Sequence, residues 1–340
     1  MPSTFVDSPR MSLCPDDPLA LSLNENPFAP LPAVRAAIID TLGVANRYPE
    51  FLPERLRDLI ANRIGVATQQ VVIGAGATGV VMQTLQAVTS PGDQIVMASP
   101  TFDGYPIVAG MARLRPVAVP LTAHGGHDLE AMADAAVDSR VVVLCRPHNP
   151  TGTVESAEEV ERFVSRVPAD TIVLLDEAYI EFVSAEHRID VCELIARFPN
   201  VVVVRTFSKA YGLAGMRTGY GVSAPDLART LWTMQLPFGT SAISLAAVTA
   251  SYHAENQLHQ RIRLINAERA YLRMRLRGLG VKSTASHANF VYLPSMGHPW
   301  CRAFDGTGLV VRSYADGAVR ITVGNRQSTR AVVAAVKANL

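Results

Sequence analysis

Residues 201–220 read VVVVRTFSKAYGLAGMRTGY, and the rest of the chain is understood from them outward. The four valines predict a strand covered on both faces, because β-branched side chains suit a pleated sheet packed between helices. The strand runs into Arg205-Thr206-Phe207-Ser208-Lys209, and Gly212, Gly215 and Arg217 follow in a segment too glycine-rich for a packed helix. Lys209 is thereby placed at the carboxyl edge of a sheet, where open α/β folds put their ligands. Of 31 basic residues, only Lys209, Lys282 and Lys337 are lysines, and the other 28 are arginines. A chain that uses arginine almost throughout yet keeps a lysine at a strand end points to an amine that loses its proton and attacks a carbonyl. Lys282, in a polar stretch, and Lys337, near the C-terminus, read as surface charges.

At 340 residues the chain has length for a large core and two domains. Its 49% apolar and 18% charged residues describe an ordinary globular protein. A formal net charge of +1 without a basic block argues against nucleic acid or an acidic membrane surface as partner. Cys14, Cys145, Cys192 and Cys301 are far apart, with neither disulfide-framework nor zinc spacing, and the eight histidines lack metal spacing, so no metal is expected. A reduced, cytoplasmic protein is the expectation. Residues 1–13 have no apolar core of a signal peptide. The uncharged window 230–253 holds Gln235, Pro237 and Gly239, which favours an internal helix beside a domain junction over a membrane span. No internal repeat or low-complexity segment is found.

Taken in order, residues 21–28 form a polar elbow (Asn24, Glu25, Asn26) between apolar flanks. Helices are predicted over 32–42 and 53–64, with an exposed turn Asn46-Arg47-Tyr48-Pro49 between them. The strand 71–73 runs into Gly74-Ala75-Gly76-Ala77-Thr78-Gly79 and a helix over 80–88. This matches the dinucleotide fingerprint literally, but the acidic residue expected about 20 residues on at a strand end is missing. Asp93 lies in the turn before the next strand. A phosphate site of backbone N–H groups at a helix N-terminus is the more economical reading. Strands at 94–98, 116–119, 141–145, 172–175, 201–205 and 219–222 then alternate with helices such as 128–138 and 155–166, which predicts a mostly parallel sheet with helices on both faces. From about residue 240 a long helical run over 241–279 leads to strands at 289–293, 310–312 and 319–323 and a final helix, an α+β module packing with the N-terminal elbow. The expected division is 45–238 for the large domain, with 1–44 and 239–340 forming the small one.

Four strand-end features accompany Lys209. Asp176 ends the central strand 172–175, with Tyr179 three residues later. Asn149 follows the strand 141–145. Ala77 and Thr78 lie at a helix N-terminus, and Ser208 and Arg217 flank the lysine with a hydroxyl and a guanidinium. Singly, each has a plain structural reading: a cap, a turn, a surface charge, an interior aromatic. Together they describe a site for pyridoxal 5′-phosphate. Its aldehyde needs an amine, and freeing a lysine with a pKa near 10.4 at neutral pH costs about 4–5 kcal/mol unless the site lowers it. A cation such as Arg217 helps to do so. The ring nitrogen calls for a carboxylate such as Asp176, the ring hydroxyl for Asn149 and Tyr179. The phosphate calls for the N–H groups of Ala77 and Thr78, the Ser208 hydroxyl and Arg217.

The set LNENPF, NRYP, HNPTG, DEAYIEF, RTFSKAYGLAGMR and VRITVG resembles the fold-type I pyridoxal-phosphate aminotransferases from about residue 20 to the end. Within them it is most similar to the histidinol-phosphate aminotransferases and their actinobacterial aromatic-amino-acid relatives. The resemblance implies an aspartate-aminotransferase-like α/β fold, a large domain with a mostly parallel sheet between helices plus a smaller α+β domain. It implies Lys209 as the Schiff-base and proton-shuttling residue, Asp176 on the pyridine nitrogen, and Asn149 and Tyr179 near the ring oxygen. It also implies Ser208 and Arg217 on the phosphate, Phe102 stacked on the ring, Arg320 on the substrate carboxylate or phosphate, and Asn24 at the substrate mouth. A homodimer is implied in which Tyr48 reaches the partner's site.

Four departures bear on the substrate. Phe102 stands where histidinol-phosphate enzymes commonly have tyrosine, and the segment 5–10 lacks the tyrosine they often carry before the elbow. Thr78 replaces a frequent acidic residue, and His148 replaces the first Asn of NNPTG. The first two remove polar groups from the substrate mouth and favour an aromatic amino donor, exchanged with a 2-oxo acid in a ping-pong cycle. Histidinol phosphate, or a decarboxylating or oxidising enzyme of the same fold, is the alternative. A nicotinamide-dependent oxidoreductase rests on Gly74, Gly76 and Gly79 alone.

Overall fold

The computed structural model describes Cys14 and residues 17–340, so the segment 5–10 lies outside the described residues. Counted from the N-terminus, β1 is Ala20–Leu21. Seven strands then build one sheet: β2 (Val71–Ala75), β3 (Gln94–Ser99), β4 (Arg115–Pro120), β5 (Val141–Cys145), β6 (Ile172–Asp176), β7 (Val201–Thr206) and β8 (Thr218–Ser223). Their order across the sheet is β2-β8-β7-β6-β5-β3-β4, with β6 in the middle. All neighbours are parallel except those of β8, which runs against both β2 and β7. The connection from β7 to β8 is the loop carrying Lys209. It is short enough to return the chain antiparallel, whereas parallel neighbours need a crossover.

The valine run shows why the sheet is two-sided. Val201 and Val203 join the core on one face, and Val202 and Val204 join the core on the other, as a strand's period of two requires. Burying each contributes roughly 1.5 kcal/mol or more. The first of these cores continues without a break into the second sheet, through Phe290, Val291, Ile321 and Val323. That sheet adds β9 (Phe290–Leu293), β10 (Val310–Ser313) and β11 (Val319–Thr322) in the order β1-β10-β11-β9, so the elbow strand and the C-terminal strands are one layer.

Two expectations need correction. The segment 74–79 is not a loop before a helix at 80, because the helix Gly76–Val88 begins straight from β2. Glycine serves close packing there: a Cβ on Gly219 would lie 2.5 Å from the Ala77 nitrogen, and Gly76 turns with φ +74°. The helical run 241–279 is two helices, Ala242–His253 and Glu255–Gly278, broken at Ala254, where ψ reaches 26°. The helices Gly104–Met111, Val191–Arg197 and Pro225–Trp232 were not anticipated. All are short, and the first carries two glycines and a proline, residues of low helix propensity.

Candidate active site

The carboxyl edge of the large sheet gathers the candidate residues because β6, β5 and β7 all end there. Strand alternation sends Asp176 and Glu177 to opposite sides. Asp176 is 4% exposed, and its two oxygens accept hydrogen bonds from the Tyr105 hydroxyl at 2.6 Å and the Ala178 N–H at 3.0 Å. Burial pushes its carboxyl above the ordinary range, and those two donors hold the rise back. Glu177, fully buried, instead pairs with Arg205 at 2.7 Å and lies 3.8 Å from Arg146, itself fully buried. The glutamate of the DEAY run thus anchors two strand-end segments beneath the site, a role that DEAYIEF alone does not disclose.

Lys209 donates from Nζ to the Leu23 carbonyl at 3.0 Å and lies 5.8 Å above the Tyr179 ring. Burial first, then the positive charge of Arg320, pulls its amine down to about 8, with Arg217 adding to the effect. The amine is therefore expected to react with a small acylating reagent in the coenzyme-free protein along a curve centred near pH 8. Peptide mass analysis across pH checks this, since it separates the Lys209 peptide from those of the other two lysines, Lys282 and Lys337. A midpoint near the ordinary lysine value would contradict the electrostatics.

On one side of the lysine, polar residues from four segments are tied together. The Tyr179 hydroxyl accepts from Asn24 Nδ2 at 3.0 Å and from Asn149 Nδ2 at 3.4 Å. Arg320, from β11, donates to Asn149 Oδ1 and, at 2.6 Å, to the Ser22 carbonyl, while its Nε is buried without a partner. Asn24 adopts φ 55° and bonds Thr322 through its backbone N–H at 3.0 Å and its side-chain oxygen at 3.3 Å. Asparagine tolerates this left-handed geometry better than most residues. The elbow is thus locked to β11 two residues from Arg320.

On the other side lie groups whose chemistry suits an anion. Ala77 and Thr78 lie in the first turn of Gly76–Val88, where backbone N–H groups have no helical partner and the dipole favours negative charge. Arg217, at φ 51°, contacts Ser208 Oγ at 3.4 Å and donates to the carbonyls of Ala214 at 2.8 Å and Ala75 at 3.2 Å. It thereby joins the lysine loop to the helix N-terminus.

Phe102 is half-buried and meets Tyr105 edge-on, with ring centroids 5.3 Å apart. Tyr105 was missed in the sequence, although it is 1% exposed and directly touches Asp176. Its signal was only a tyrosine three residues after Phe102. Replacing Tyr105 with phenylalanine removes a donor that favours the Asp176 carboxylate. The acid limb of the pH–activity profile is therefore expected to move to higher pH, with kcat/KM at neutral pH falling roughly three- to tenfold. A profile that overlays the wild type would deny Tyr105 this role. Tyr48 stands apart from the set within one chain: it is 84% exposed and packs against Phe238 at 4.8 Å.

Cavity size alone would point elsewhere. A cavity of about 680 Å³ lined by Glu181, Arg205 and Tyr252 holds none of the candidate coenzyme or substrate residues. A smaller one of about 220 Å³ opens beside Ser208, between the elbow and Gly212–Gly215. The residues fit pyridoxal phosphate on chemical grounds instead: an amine of lowered basicity, a buried carboxylate, a phenol with an amide, and groups suited to a phosphate around one point. Among the described residues no group of histidine, cysteine or carboxylate side chains could hold a metal ion, and no helix is long and apolar enough to cross a membrane.

Comparison with known proteins agrees with this chemistry. The family model for class I and II aminotransferases matches residues 16–336. An aromatic amino acid aminotransferase of Rhodococcus jostii (strain RHA1) is 42% identical over 319 residues, covering 93% of this chain and 88% of its own length. One from Streptomyces coelicolor is also 42% identical, covering 92% and 89%. The crystal structure of histidinol-phosphate aminotransferase from Sinorhizobium meliloti, in complex with pyridoxal-5′-phosphate, superposes with a TM-score of 0.87 at 27% identity, covering 99% of this chain and 97% of that one.

Proposed function

The chain belongs to the class I and II aminotransferases, and from that premise we propose that it transfers the amino group of an aromatic amino acid to a 2-oxo acid. It has the aspartate-aminotransferase-like fold of the type I pyridoxal-phosphate enzymes, and pyridoxal 5′-phosphate is its coenzyme. When bound, the coenzyme supplies an electron sink for the substrate Cα. The chain's own residues do the rest. Arg217, Ser208 and the N–H groups of Ala77 and Thr78 would hold its phosphate. Asp176 would supply a negative charge to the ring nitrogen, Asn149 and Tyr179 would serve the ring oxygen, and Phe102 would pack on the ring. Arg320 grips the substrate carboxylate, Asn24 closes the mouth, and Lys209 carries the Cα proton in both halves of a ping-pong cycle.

The observation that carries the aromatic reading is Phe102, a ring without a hydroxyl set edge-on to Tyr105 at the mouth. The two relatives named as aromatic amino acid aminotransferases support it. An amino-donor panel tests it. With phenylalanine, tyrosine, leucine, glutamate and histidinol phosphate offered in turn, the two aromatic donors are expected to give the highest kcat/KM. Activity confined to histidinol phosphate would overturn the reading. That second reading has one observation in its favour, since a further arginine, Arg312, stands opposite Arg320 on β10.

We also read the working unit as a homodimer. Tyr48, Phe51 and Phe238 form an exposed aromatic cluster, with Leu236 and Met234 nearby in sequence also exposed. Apolar area of this kind supports burial against a second copy, with Tyr48 reaching that copy's phosphate site. The division into 45–238 and the two flanking segments belongs to the same proposal. The free thiols of Cys145, Cys192 and Cys301 support a reducing, cytoplasmic location.

A further inference from the structure

A series of contacts runs from Asp176 round to Arg320, and one link of it lies at the rim. Asp176 accepts from Tyr105 at 2.6 Å, and Tyr105 meets the edge of Phe102. The next residue, Asp103, pairs with Arg312 across the mouth, Oδ2 to Nη2 at 2.9 Å. Arg312 on β10 is the Cα partner of Arg320 on β11, and Arg320 meets Asn149. Directly opposed residues of an antiparallel pair share one sheet face, so the two guanidinium groups stand side by side towards the site.

Asp103 occupies the N-cap position of the helix Gly104–Met111, where an aspartate ordinarily bonds the first turn. Its side chain makes no such bond and reaches Arg312 instead. Arg312 is otherwise placed over the Tyr314 ring, 5.5 Å from its centroid, and Tyr314 packs on Tyr292. Its Nε is buried and has no hydrogen-bond partner. The side chains of Arg312 and Asp103 retain 21% and 56% exposure. The pair is therefore partly wet and weak, the kind that a competing anion displaces at modest cost. Two adjacent arginines with a single neutralising carboxylate would otherwise welcome a substrate with two anionic groups.

Resting on the aromatic-donor reading above, we propose that Asp103 is a specificity-determining residue: by neutralising Arg312 it favours uncharged aromatic side chains over side chains ending in a carboxylate or phosphate. Such discrimination is graded, so a dicarboxylic acceptor still enters by displacing Asp103 from Arg312. The far end of the substrate meets the aromatic surface of Tyr314 and Tyr292 when the pair holds, and a cation when it opens.

Binding of two unreactive analogues to the coenzyme-loaded protein, followed by calorimetry, tests this. Glutarate carries a second carboxylate, and 3-phenylpropionate carries a ring. In Asp103→Asn, glutarate is expected to bind roughly fivefold tighter while 3-phenylpropionate stays within about twofold, the size set by removing one partly screened charge. In Asp103→Asn combined with Arg312→Gln the gain for glutarate is lost. Thermal melting shows that both variants fold. Equal change for both analogues, no change, or a gain that persists in the double variant would overturn the role of Asp103. Failure of the wild type to bind either analogue would instead overturn the aromatic-donor reading, and the proposal with it.

Discussion

Lys209→Ala is expected to lower turnover with phenylalanine by at least about 10⁴-fold, because it removes both the covalent anchor and the proton carrier in one step. The loss should be chemical and not structural. The amine makes one hydrogen bond, to the Leu23 carbonyl, worth about 1 kcal/mol. Against that, the folded protein holds the lysine at about 8, below its ordinary value of 10.5. A lysine depressed on folding opposes the native state most at pH values below about 8, where it is charged, and this opposition fades as pH rises from about 8 to its ordinary value of 10.5. Removing it is therefore expected to leave the melting temperature at pH 7 unchanged or slightly higher. Steady-state rates and thermal melting together check this. A variant that retains activity within tenfold of wild type would show that the proton moves through another group.

Asp176→Asn is expected to cost about 10²- to 10³-fold in kcat, the range for losing one preorganised electrostatic partner of the reacting system. Asparagine keeps the shape and retains an oxygen for the Ala178 N–H, and its amide can donate to the Tyr105 oxygen. The substitution thus removes charge with little change in packing. Tyr105→Phe is the counterpart that keeps the charge and removes a donor, which is why its effect is smaller and appears in the pH profile. Loss of less than tenfold in Asp176→Asn would mean that the ring nitrogen needs no carboxylate here. Comparison of kcat and of coenzyme retention in the two variants separates the effects.

Much of the site was legible because its parts are local. Lys209, Asp176 and Asn149 each follow a β-branched or leucine-rich strand, and the end of a parallel strand is a place that sequence marks well. The segment 74–79 stands out by its glycines, and at Gly74 the need is close packing, since a Cβ there would lie 2.6 Å from the Val80 nitrogen. What escaped depends on partners far away in the chain. Tyr105 gains its role from a carboxylate 71 residues on, and Asp103 from an arginine 209 residues on. The Glu177 pairings with Arg205 and Arg146 arise because three strands end side by side. The direction of β8 is likewise a tertiary property, since Thr218–Ser223 reads the same in either orientation. The break at Ala254 has no glycine or proline to announce it.

The central claim is that Lys209 is the residue joined to the coenzyme, and one measurement addresses it directly. The coenzyme-saturated protein is reduced with borohydride, digested, and analysed by mass spectrometry for a pyridoxyl-phosphate increment. The chain has only three lysines to distinguish, Lys209, Lys282 and Lys337. The increment is expected on the peptide carrying Lys209 and on neither of the others. Label on Lys282 or Lys337, or none at all, would contradict the assignment.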